Sequence, residues 1–169
     1  MMRQYKIALL GDPAVGKTSL VKVLKVGYAD KRYVSTVGAE VHPIPVHTNQ
    51  GPILLDVWDY AGKEEYSTTQ SQANIAAADL IVIMYSLDNR ATFNNAKARW
   101  TQLARSYSSK PILLLGNKRD TEVRTVNAVY PEISCRSDPA SVAGFIQQII
   151  TTLTGDNTIQ VIEDEPLPL

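Results

Sequence analysis

Nine residues, "GDPAVGKTS" from Gly11 to Ser19, carry the first recognisable chemistry in the chain. Gly11 to Thr18 match G-x-x-x-x-G-K-[ST] in full, directly after the apolar run Tyr5–Leu10. Glycines let a backbone bend tightly around a phosphate. Successive N–H groups and the N-terminus of a following helix then point at its negative charge. On this reading Asp12, Pro13, Ala14, Val15, Gly16 and Ser19 contact the phosphates. Lys17 reaches the β- and γ-phosphates, and the Thr18 hydroxyl ligates Mg²⁺.

A second motif names the base. "GNKRD", residues 116–120, follows the run "PILLL", at the end of a strand where α/β folds place ligands. Asp120 can accept from the N1–H and the exocyclic amine of guanine, an arrangement that adenine does not offer. Asn117 can bond the base and the neighbouring loops, and the stem of Lys118 can lie along the ring. Polar pairing of this kind rejects the wrong base because an acceptor would be left unpaired. "ISCRS", residues 133–137, adds Ser134, Cys135 and Arg136, with the Cys135 N–H directed to guanine O6. A backbone donor leaves the Cys135 side chain free to be a small buried residue rather than a reactive thiol. The expected ligands are therefore GTP or GDP and Mg²⁺.

Two further segments lie between these motifs. In "YVSTVGAE", Tyr33 joins the nucleotide contacts, and Thr36 offers its hydroxyl to Mg²⁺ and its N–H to a γ-phosphate. In "WDYAGKEEY", Asp59 holds Mg²⁺ through water and Gly62 turns its N–H onto the γ-phosphate. Those contacts need a triphosphate, so hydrolysis would release both loops.

The elements that must position these residues alternate along the chain. Strands are expected at Tyr5–Leu10, Glu40–Thr48, Ile53–Trp58, Leu80–Leu87, Pro111–Leu115 and Tyr130–Ser134. "LIVIMY" and "PILLLG" are apolar at successive positions, as in parallel strands covered on both faces. Asn49-Gln50-Gly51 is a hairpin turn signal, and Pro43 and Pro45 push the preceding strand to the sheet edge. Helical spacing runs over Lys17–Lys25, Arg90–Tyr107 and Pro139–Leu153, the last stopped by Gly155. The fold class is α/β: a six-stranded, mostly parallel sheet with one antiparallel edge strand and helices on both faces. Residues 1–155 form the domain, and 156–169 a loose acidic, proline-containing tail.

Composition narrows the remaining functions. The 169 residues are 44% hydrophobic and 20% charged with a formal net charge of zero, so no overall field draws the chain to nucleic acid or anionic lipid. The single cysteine excludes an intramolecular disulfide and a cysteine-based zinc site, as befits a reducing compartment. "EDEPLPL" offers no cysteine for a C-terminal lipid anchor. The expectation is a soluble intracellular monomer in the cytoplasm or nucleus, without a membrane or nucleic-acid partner.

Together these motifs resemble the small Ras-like GTPases along nearly the whole chain, within the phosphate-loop NTPase fold. "KRYVSTVGAEVHPIPVHTNQGPILLDVWDYAG" is similar to the Ran branch, which works in nucleocytoplasmic transport. The resemblance implies exchange factors, effectors and transport receptors as protein partners. It also sets off four departures. Lys63 stands where the family places a water-orienting glutamine, and lysine has three donors and no acceptor. Lys17, Thr36 and Gly62 complete the expected catalytic group around it. Pro13, without an N–H, and Ala14 replace smaller loop residues. Ala29, beside Tyr28, falls where the family covers the base with an aromatic. Only Thr121 to Ile133 separates "NKRD" from "SCRS", where the branch carries a longer basic insert. These features imply a Mg²⁺-dependent GTP/GDP switch with weak hydrolysis. The alternative is a non-cycling GTP-binding module that mimics the GTP-loaded state.

Overall fold

The computed structural model describes residues 2–26, 39–60, 69–127 and 129–162. Five strands form one sheet in the order β2-β3-β1-β4-β5: β1 Arg3–Gly11, β2 Ala39–Val46, β3 Ile53–Tyr60, β4 Leu80–Ser86 and β5 Ile112–Asn117. β1 pairs in parallel with β3 and β4, β4 in parallel with β5, and β2 antiparallel with β3. β4 is buried along all seven residues, as its unbroken apolar run requires of a central strand. β2, with Pro43 and Pro45, takes the edge, where a missing N–H costs least.

Helices cover both faces. Helices α1 (Lys17–Val26) and α5 (Ser141–Thr154) pack Leu20, Val21, Val142, Phe145 and Ile150 onto Ile7, Leu9, Val57 and Val82. The opposite face carries α2 (Thr69–Ala77), α3 (Arg90–Asn95) and α4 (Thr101–Tyr107), packed on Ala8, Leu10, Ile81 and Ile83. Gly155, with φ 68, caps α5 in the left-handed conformation that the sequence anticipates there. Among the described residues no helix is long and apolar enough to cross a membrane.

The structure departs from the sequence reading in four places. The helix expected over Arg90–Tyr107 is interrupted: Ala96–Trp100 winds as a π-helical turn, and the Thr101 N–H donates to the Ala96 carbonyl five residues back. α2, with few apolar residues to mark a face, has no counterpart in the expectations. The sixth strand does not form. Gly116 N–H donates to Pro131 O and Ile133 N–H donates to Gly116 O, leaving one bridge between Gly116 and Glu132. Pro131 has no N–H with which to extend that ladder. Finally, residues 156–162 are docked rather than loose. Ile159 is fully buried, Asn49 exchanges hydrogen bonds with Gln160, and Gln147 donates to Ile159 O and accepts from Val161 N–H.

Candidate functional site

The parallel strands β1, β3, β4 and β5 all end at one edge of the sheet, and residues that follow β1, β4 and β5 line a cleft of about 280 Å³ there. Pro13, Ala14, Gly16, Lys17, Thr18 and Ser19 line one side. Asn117, Lys118, Asp120, Cys135 and Arg136 line the other. Two stretches about a hundred residues apart thus meet, and the link between them is Asn117. Its side-chain amide donates to Val15 O at 3.0 Å, and its Oδ1 accepts from the Cys135 N–H at 3.3 Å. Asn117 is buried, so this staple is dry. The Cys135 N–H expected at a base oxygen is engaged by Asn117 instead. The Cys135 thiol is buried and pushed up to about 12 by desolvation, in keeping with an inert packing role.

Asp120 is held from two sides. The hydroxyls of Ser134 and Ser137 donate to its two carboxylate oxygens, each at 2.6 Å. These bonds, Ser134 first, hold its carboxyl below the usual carboxylate range. A carboxylate so oriented can accept two parallel N–H donors through its remaining lone pairs. Lys118 takes a left-handed φ of 67 and its ammonium lies 3.8 Å from Asp88. Ser137, Asp88, Lys22 and Thr121 all belong to this site and were not among the sequence-derived residues. Ser137 alone carried a signal, a second hydroxyl three residues after Ser134.

At the phosphate end, the Lys17 ammonium donates to Gly11 O at 3.0 Å and Asp12 O at 2.9 Å. Burial lowers its pKa to about 8, against the opposing pull of Asp59 and Asp12. The Thr18 hydroxyl donates to Asp59 Oδ2 at 2.6 Å. Asp59 is wholly buried, and its Oδ1 has no hydrogen-bond partner among the described residues. Desolvation raises its pKa, opposed chiefly by the Thr18 hydroxyl. A buried carboxylate oxygen without a donor, beside a hydroxyl, suits a hard oxygen-seeking cation such as Mg²⁺.

Three of the expected residues direct their side chains elsewhere than the cleft. The Asp12 side chain turns away from the cleft into the protein, leaving only its backbone at the loop. Val15 is fully buried in the core, and Ser134 acts through Asp120. Tyr33, Thr36, Gly62 and Lys63 lie outside the described residues.

An open, mostly parallel sheet whose first strand runs through a glycine-bounded loop into a helix defines a phosphate-loop nucleotide-binding protein. A family model described as Ras family matches residues 6–158. The chain belongs to the Ras family, and as such is a small GTP-binding switch protein.

Proposed function

We propose that this chain is a Ran-like guanine-nucleotide switch that turns GTP over slowly. The observation that carries the reading is the Asp120 carboxylate, aligned by Ser134 and Ser137 and stapled through Asn117 to the phosphate loop. In this reading Asp120 and Asn117 read and frame guanine, Lys118 and Arg136 flank it, and Cys135 closes the pocket. Backbone N–H groups of the loop to Ser19 receive the phosphates, with Lys17 neutralising charge. Thr18 and Asp59, joined by Thr36, would hold Mg²⁺, which would supply charge neutralisation at the phosphate oxygens. Tyr33, Thr36 and Gly62 answer to the triphosphate.

Slow turnover rests on Lys63. A water that attacks the γ-phosphate must be aligned by an acceptor, and a lysine ammonium has none. Lys63→Gln is expected to raise the single-turnover hydrolysis rate about tenfold or more. A wild-type rate equal to that of the glutamine variant removes this part of the reading. The Ran-like stretch from Lys31 to Gly62 supports nuclear transport receptors and an exchange factor as partners, in cytoplasm and nucleus.

A non-cycling module is the second reading, favoured by the same Lys63 and by the short 121–133 connection. Here Arg124 closes the turn by donating to Val126 O and pairing with Glu132. Identifying the nucleotide carried by purified protein, then measuring its exchange, separates the two. Retained GTP that neither exchanges nor turns over marks a module, and an adenine nucleotide overturns the guanine assignment.

Lys17 gives the binding reaction a proton signature. Phosphate favours the ammonium form, while in the free protein burial holds the pKa near 8. Binding of GDP at pH 8 should therefore take up about half a proton, and affinity should fall as pH rises further. Calorimetry at that pH in two buffers of different ionisation enthalpy measures the uptake; none at all would show that Lys17 does not meet the phosphates.

A further inference from the structure

Asp12 sits inside the phosphate-loop motif, yet its side chain is occupied elsewhere. The Trp100 indole N–H donates to Oδ1 at 2.8 Å, and the Asn95 amide donates to Oδ2 at 2.7 Å. Asp12 is 8% exposed and Trp100 fully buried, so both bonds are made out of water, where a charged acceptor makes its strongest hydrogen bonds. Asn95 and Trp100 are five residues apart. At 3.6 residues per turn that spacing would set them roughly 140° apart on a helix. The π-helical turn Ala96–Trp100 intervenes between them, and its wider winding closes that angle so that both reach one carboxylate. The irregularity has a stabiliser of its own: the Thr101 hydroxyl donates to Ala96 O at 2.7 Å. From outside, the Arg99 guanidinium lies 5.0 Å over the Trp100 ring.

The other side of the same residue faces the cleft chemistry. Asp12 O and Gly11 O accept from the Lys17 ammonium. Asp12 therefore joins two layers: its carboxylate is fixed to the helical face, and its carbonyl fixes the lysine. The loop lies between them, and Pro13 and Ala14 follow directly, Ala14 at a left-handed φ of 63. A non-glycine residue in that region persists where its surroundings determine it.

We propose that Asn95 and Trp100 are positioning residues for the phosphate loop, holding Asp12 so that the loop and Lys17 stand ready for a nucleoside diphosphate or triphosphate. The proposal rests on the guanine-nucleotide reading above. It locates part of the affinity for the β-phosphate in a helix that never touches the ligand. Without the clamp the loop samples geometries that do not cradle a phosphate, and apparent affinity falls by the fraction of competent loop that remains.

Two variants test this. Trp100→Phe removes the indole N–H and keeps a ring in the core; Asn95→Ala removes the second donor at a half-buried position and serves if the first does not fold. Calorimetry on nucleotide-free protein compares GDP with GMP, which lacks the phosphate that the loop would cradle. Each variant is expected to weaken GDP about tenfold and GMP less than twofold. Equal losses for the two ligands, or no loss for GDP, overturn the proposal, since a merely structural role would not tell them apart. Amide hydrogen exchange over residues 14–17 in the nucleotide-free protein gives a reading that needs no ligand. Faster exchange in both variants is expected, and unchanged protection overturns the proposal even if the wild type proves not to bind GDP. A wild type that binds no GDP, with faster exchange in both variants, instead overturns the guanine assignment and leaves the clamp standing.

Discussion

Asp120→Asn is expected to lower affinity for GDP by about a thousandfold or more and to transfer preference to xanthosine diphosphate. The carboxylate presents two acceptors, each backed by a serine hydroxyl at 2.6 Å. Guanine answers with two donors, its N1–H and its exocyclic amine. Asparagine turns one acceptor into an NH₂ group, which then faces the guanine amine donor to donor, and a site built on matched polar pairs discriminates strongly against such a mismatch. Xanthine carries a carbonyl where guanine carries the amine, so the same amide would meet an acceptor. Competition titrations of both diphosphates against the variant test the exchange. Undiminished GDP affinity would show that the carboxylate does not read the base.

Gly16→Ala is expected to abolish tight binding of either nucleotide and to destabilise the fold by about 3 kcal/mol or more. Gly16 has φ 104, a conformation that side chains rarely adopt. A Cβ there would come 2.1 Å from Asn117 Nδ2. The methyl would expel the amide that donates to Val15 O and whose oxygen receives the Cys135 N–H. Phosphate loop and base loops would then lose their common support. Thermal unfolding and GDP titration report the two effects. In an Asn117→Ala background the clash disappears while the backbone strain stays, so the two substitutions should cost less together than their sum. Simple additivity would show that the clash is not the cause.

Where the chain advertises its structure, it does so through burial. β1 and β4 were legible because consecutive apolar residues have no use in a half-exposed strand, and β2 because two prolines leave only the edge. The phosphate and base motifs were legible because glycine, lysine and asparagine recur at spacings that a backbone bend dictates. The π-helical turn was not, since no residue type encodes it; it accompanies the bonds that Asn95 and Trp100 make to Asp12, more than eighty residues earlier. For the same reason the direction of Asp12 was unreadable: the motif marks its place in the loop and says nothing of a partner on α3. The docking of Ile159 likewise depends on Asn49, in the turn between β2 and β3, and Gln147, on α5, so the segment looked loose by composition alone.

The chain has two tryptophans, and they sit in different surroundings: Trp58 is half-buried on β3, whereas Trp100 is fully buried with its indole N–H bound to the loop residue Asp12. Indole emission is sensitive to just such a neighbour. The molecule thus contains its own optical probe, wired to the loop that would receive the phosphates, and the arrival or departure of a ligand there can be followed by light without a label.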